Sequence, residues 1–120
     1  MKKLSIAVAL VLLCGAVAMV STAGARGGAA TAVTIKYNGD GFQGKVKSSR
    51  ARCVKNRTVK VYKQTGSAQD PSSDQKLFKD TTDNEGQWDT GNSGQAHGKF
   101  YAFAKKTTGC KKGFSQTIKV

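Results

Sequence analysis

From residue 33 onward apolar and polar positions alternate along the chain. "VTIKY" (33–37) sets Val33, Ile35 and Tyr37 against Thr34 and Lys36, the two-residue period of a strand with one buried and one wet face. "FQGKVKS" (42–48) repeats it, with Phe42, Gly44 and Val46 on one side and Gln43, Lys45 and Lys47 on the other. In "RTVKVYK" (57–63) Val59 and Val61 turn inward while Lys60 and Tyr62 face out. "QKLFKDTT" (75–82) and "GQWDTG" (86–91) follow as shorter runs. "GKFYAFAKK" (98–106) breaks the alternation, because every position from 100 to 104 is aromatic or alanine, so both faces of this strand are expected to be covered. "GFSQTIKV" (113–120) places Phe114, Ile118 and Val120 on a common face.

Turn chemistry separates these runs. "NGDG" (38–41) favours positive φ, and "GSAQDPSSD" (66–74) reads as a long, mobile, polar surface connection containing Pro71, the single proline. No apolar period of 3.6 residues persists beyond one turn. Seven short runs of this kind predict an all-β fold, a seven-stranded antiparallel β-sandwich.

The start of the chain has a different pattern. "MKKLSIAVALVLLCGAVAMVSTAGARGG" carries two lysines, an apolar run from Leu4 to Val20 and a small-residue zone with Ala23-Gly24-Ala25, which is the layout of a secretory signal peptide over 1–25, cut after Ala25 or Ala23. A basic stop-transfer cluster does not follow, so no membrane span is expected in the mature form. Residues 26–32 ("RGGAATA") read as a flexible tail, and 33–120 as one domain, secreted or held at the cell surface.

Cleavage removes Lys2, Lys3 and Cys14, and lowers the net charge from +13 to +11. A domain of this size buries only about two thirds of its unfolded surface and is marginal without a covalent staple. Cys53 and Cys110, an even count in an oxidising compartment, predict a disulfide. They form no C-x-x-C, and His97 is the only histidine, so a four-ligand Cys/His zinc site cannot be assembled; no metal or other cofactor is expected.

"DTTDNEGQWD" (80–89) concentrates acid in a basic chain. With Gly86 at the sixth position of a calcium loop, Thr81 falls at the first and Asn92 at the twelfth, so both key carboxylates are missing. The competing reading is a hairpin turn opened by Asp83 and Asn84, with Gly86 left-handed and Trp88 entering the next strand. A calcium-dependent adhesin module using Asp80, Asp83, Glu85 and Asp89 stays as an alternative.

Taken in order, "G-K-V", "R-T-V-K-V-Y", "T-D-N-E-G-Q-W", "G-K-F-Y-A-F-A" and the terminal "T-I-K-V" resemble the carboxypeptidase regulatory-like domain, whose fold is transthyretin-like (prealbumin-like). The positions that match are Gly44 and Val46; Val59 and Val61; Thr82, Asp83, Gly86 and Trp88; then Gly98, Phe100 and Ala102. The chain departs from the family where "SSRARCVKNR" replaces the usual G-x-P-L-x-G-A segment, and in its cysteines. It is closer to small basic secreted bacterial proteins carrying one such domain. The resemblance implies a non-catalytic module. Hydroxyisourate hydrolases share the fold type, but their histidines and terminal Tyr-Arg-Gly-Ser are not matched by "FSQTIKV".

Charge is the remaining pointer. Lysine and arginine crowd 36–63, where Asp40 is the one acid, and 99–119, which has none; the other six acids lie between Asp70 and Asp89. If the two basic segments adjoin, they form a cationic face that attracts polyanions. The residues expected to carry it are Lys45, Lys47, Arg50, Arg52, Lys60, Lys105, Lys106, Lys111 and Lys112. The expected partner is an anionic surface polymer; nucleic acid is expected only without sequence specificity, beside Tyr62, Phe78 and Tyr101. A protein-binding or inhibitor module using exposed loops near Trp88 and His97 is the alternative. No enzymatic activity is expected.

Overall fold

The computed structural model describes residues 28–120. The expected signal peptide, Cys14 within it, and the first two residues of the expected tail lie outside the described residues.

Nine short strands are present among the described residues: β1 (Ala32–Val33), β2 (Lys36–Tyr37), β3 (Phe42–Lys47), β4 (Thr58–Lys63), β5 (Gln75–Thr81), β6 (Gln87–Asp89), β7 (Lys99–Ala104), β8 (Gly113–Phe114) and β9 (Ile118–Lys119). They build two antiparallel sheets. In the first, β3 is flanked by β1 and β2 along one edge and by β6 along the other. The order of the second is β5-β4-β7, with β8 and β9 sharing the far edge of β7.

All seven sequence runs appear, and two of them are divided. β1 and β2 keep one register on β3, Val33 opposite Val46 and Tyr37 opposite Phe42, so "VTIKY" is one strand in direction. It is interrupted because the Lys45 amide donates to the Thr34 hydroxyl, at 2.9 Å, instead of to a backbone carbonyl. The terminal run divides for another reason. Phe103 opposes Phe114 but Phe100 opposes Ile118, so one extra residue sits between β8 and β9. Ser115 makes this bulge, its amide donating to Ala102 O and its hydroxyl accepting from Ala102 N, both at 2.8 Å. One inserted residue reverses which side the following side chains face. Ile118 and Val120 therefore pack on the core while Phe114 points to the opposite face, correcting the expectation of a common face.

The core lies between the sheets. Phe42 from the first sheet sits 4.9 Å from Phe100 and 6.3 Å from Phe78 of the second, ring centre to ring centre. Val33, Val46, Val59, Val61, Trp88, Ala102 and Ala104 complete the buried cluster. Gly44 is small for a reason: a Cβ there would run into the Thr34 carbonyl and the Trp88 indole. Trp88 is thus folded under β3, 2 % exposed, its indole N–H without a hydrogen-bond partner.

Three further expectations are corrected. Residues 28–32 are not a free tail: the Ala29 amide donates to Gly109 O, Lys111 N donates to Ala29 O, and Ala29 is buried against Cys53 and Cys110. Small residues there let the backbone lie flat on the cystine segment. Tyr62 does not face solvent, being 6 % exposed and stacked on Tyr101 with centroids 5.5 Å apart. That stack covers the second face of β7, as the unbroken apolar run predicted. Finally, the connection 66–74 is anchored instead of loose. Asp74 accepts hydrogen bonds from Thr65 N, Asp70 N and the Tyr101 hydroxyl, and Gln69 donates to Ser115 O and Thr117 Oγ1.

Candidate functional site: a cationic end built on the cystine

Cys53 and Cys110 form the expected disulfide, bridging a sequence separation of 57 with Cα atoms 5.5 Å apart. It joins the two basic segments. On one side a short 3-10 turn, Ala51–Cys53, carries Arg52; on the other, the tight loop Thr107–Cys110 is closed by reciprocal bonds between residues 107 and 110. Arg50 reaches across to Gly109 O at 3.4 Å and Arg52 to Thr108 O at 3.3 Å. Each guanidinium uses one of its five donors in this contact and leaves the others facing solvent. Lys106, Lys111 and Lys112 line a shallow depression over the cystine together with Gly109. Lys55 and Arg52 border a second depression beside Thr107 and Thr108.

Beneath this surface lies Arg57, 1 % exposed. One terminal nitrogen donates to Cys53 O at 2.7 Å and Thr31 Oγ1 at 3.0 Å, and the other to Lys105 O at 2.8 Å and Lys111 O at 3.0 Å. A single planar group thus holds three chain segments at the spacing its fork dictates. Its ligands are neutral oxygens, and Nε is left without a partner. Burial lowers its pKa from the ordinary value, but the guanidinium remains charged at any working pH. The end of the molecule is therefore cationic inside and out. Nothing in the sequence distinguished Arg57 from its exposed neighbours.

The nine expected cations divide into three groups. Arg50, Arg52, Lys106 and Lys111 surround the cystine, with Lys112 at its margin. Lys60 sits on the outer face of the second sheet, level with Lys79 and Phe103, and the strand alternation continues that face to Lys105 and Lys112. Lys45 and Lys47 are exposed on β3 of the first sheet. Lys45 is set apart, because it shares a groove with Lys36 and with Asp80, Asp83 and Asp89. The two basic segments do adjoin at the cystine, but Lys45 belongs to a mixed-charge surface.

The acidic stretch forms a turn. Asp83 Oδ1 accepts from the amides of Glu85 and Gln87, at 2.9 Å each, and the Gly86 amide donates to Asp83 O. Gly86 has φ +82°, and a Cβ there would press on Val46 O and Val54. The turn is not a hairpin between paired strands, however: β5 pairs with β4 and β6 with β3, so it carries the chain from one sheet to the other. Its acids accept local amides, Asp80 from Asp89 N and Asp89 from Gly91 N. Among the described residues no three His, Cys, Asp or Glu side chains converge as metal ligands would. Trp88 is in the core and offers no contact to a partner, whereas His97 is exposed in the 90–98 connection.

Compared with protein-family models, with curated proteins and with solved structures, the chain finds no match in any of the three.

Proposed function

We propose that this protein is a secreted, non-catalytic binding module for anionic surface or extracellular polymers, with a transthyretin-type sandwich of the carboxypeptidase regulatory-like kind as its scaffold. The observation that carries the reading is the convergence of residues 50–57 and 105–112 around Cys53–Cys110, with Arg50, Arg52, Lys106 and Lys111 on a surface fixed by the cystine and by Arg57. The backbone that carries these cations is pinned without a ligand, so binding a polyanion does not require ordering the chain first. The non-catalytic part rests on the residue inventory: His97 is the single histidine, and Cys53 and Cys110 are bound in the disulfide. Secretion rests on the leader-like start and the disulfide.

The test is retention of the mature domain on isolated cell envelopes across a salt series, with and without a chelator. Retention should fall steeply with salt, ignore the chelator, and drop roughly tenfold when Arg50, Arg52, Lys106 and Lys111 are all changed to glutamine. Absence of retention at low salt, or equal retention by the fourfold variant, would overturn the proposal.

A further inference from the structure

The outer face of the second sheet combines two features that its surroundings do not explain. Four aromatic rings meet there: Tyr62 stacks on Tyr101, Phe103 and Phe114 lie 4.7 Å apart, and Tyr101 and Phe114 lie 6.2 Å apart. The tyrosines are buried and form a bed, while Phe103 is half-buried and Phe114 is 38 % exposed, a large apolar side chain left open to water. Cations adjoin the open rings. Lys79, Lys60, Phe103 and Phe114 form one row across four strands. Lys105, whose amide donates to Thr58 O, and Lys112 continue the same face one step along. Asp80, the acid of β5, belongs to the other face, where it accepts from Asp89 N.

On the polyanion reading given above, we infer that this face is a platform for single-stranded nucleic acid, with bases stacked on Phe103 and Phe114 and phosphates on Lys60, Lys79, Lys105 and Lys112. A chain that repeats one negative charge and one flat ring per unit uses both features at once. Recognition by stacking is indifferent to sequence, as phenyl rings bear no hydrogen-bonding group. Other occupants use only half of the surface or oppose it. A second copy docked face to face would set these lysines against their own counterparts. A bilayer would need the apolar side chain on a protruding element, whereas Phe114 lies within β8, in a row with Phe103, Lys60 and Lys79. A charged polymer without aromatic rings has no use for Phe114.

The test measures binding of a fluorescent oligothymidylate of about 16 nucleotides to the disulfide-intact mature domain at about 50 mM salt, with inorganic polyphosphate of equal charge and anionic vesicles as parallel probes. Phe114→Ala should weaken the oligonucleotide about tenfold and leave polyphosphate unchanged, since one stacked base contributes about that factor. Phe114→Tyr should keep the affinity. Phe114→Leu, which retains apolar bulk without a ring, should behave as alanine and serves if the alanine variant melts early. Equal loss for oligonucleotide and polyphosphate, no loss for either, or a Phe114 dependence confined to vesicles would overturn the platform. Failure of both polyanions to bind the unaltered domain would instead overturn the polyanion reading beneath it.

Discussion

Arg57 and Asp74 are both largely withdrawn from water, the one 1 % and the other 9 % exposed, and neither is held by an opposite charge among its hydrogen-bond partners. Arg57 gathers three carbonyls and a hydroxyl at the cystine end; Asp74 gathers two amides and two hydroxyls under the 65–74 loop. The two solutions differ in what acid does to them. A guanidinium keeps its proton throughout the accessible range, so the cationic end is fixed at all pH values. A carboxyl group accepts charge-assisted bonds at both oxygens only while ionised, and protonation turns one oxygen into a donor, so the anchor over the aromatic face is conditional. The surface proposed to bind polymer is built on the permanent charge, and the loop bordering the second face on the titratable one.

The sharpest way to break this comparison is Arg57→Ala. It leaves the Cys53 and Lys105 carbonyls without a side-chain donor and Lys111 O with the Thr31 hydroxyl alone, and should destabilise the domain by about 3–5 kcal/mol, to the same extent from about pH 5 to 8. Chemical denaturation at several pH values measures this; a marked pH dependence would show that another group shares the load. Arg57→Lys should recover little of the loss, since one ammonium cannot span four separated oxygens. Replacing both Cys53 and Cys110 by serine should cost about 4 kcal/mol, on chain-entropy grounds, for a closed loop with a separation of 57. Because Arg57 ties the same segments, the two losses should fail to add, which a double-variant cycle reads directly.

Gly86→Ala sharpens the contrast from outside both anchors. A left-handed position facing Val46 O and Val54 should cost about 2–3 kcal/mol by thermal melting without altering either salt-dependent retention or acid response. This position was legible in the sequence, because Asp-Asn-x-Gly before a strand has a local mechanism. So were the strands, the disulfide and the doubly covered β7, each written in alternation, cysteine count or an unbroken apolar run. What was not legible depends on partners distant in the chain. The Ser115 bulge turns Phe114 outward through a bond to Ala102, and Arg57 and Asp74 are set apart from other charges only by what surrounds them. Tyr62 appeared to face solvent because alternation identifies sides of a strand and not what covers each side. The same limit separated Lys45 from the other cations, since its acidic neighbours come from β5, β6 and the turn between them.

The smallest expected effect tests the conditional half of the comparison. The Tyr101 hydroxyl, at 2.6 Å, is foremost in holding the Asp74 carboxyl well below the usual carboxylate range, followed by the Thr65 amide; burial first, then Asp74, pushes the Tyr101 hydroxyl above its ordinary value. A carboxylate with a depressed folded pKa contributes stability that is complete above its unfolded value of about 4 and is lost as pH falls below it toward the folded value. Tyr101→Phe removes one charge-assisted donor and should cost about 1–2 kcal/mol near pH 7. Both proteins lose stability as pH falls below about 4, where the unfolded chain takes up a proton, but the gap between variant and parent should persist there and close only in the strongly acidic range where Asp74 protonates in the folded state and the bond weakens. Asp74→Asn should show a flattened acid limb below about pH 4. Amide exchange across 65–74 locates the event: in the parent, protection of Thr65 N and Asp70 N should fall with acid before that of β4 and β7. If those amides lose protection only together with the core strands, the anchor is not a separate unit. The loop would then open with the whole sandwich, and the two buried charges would differ in sign alone.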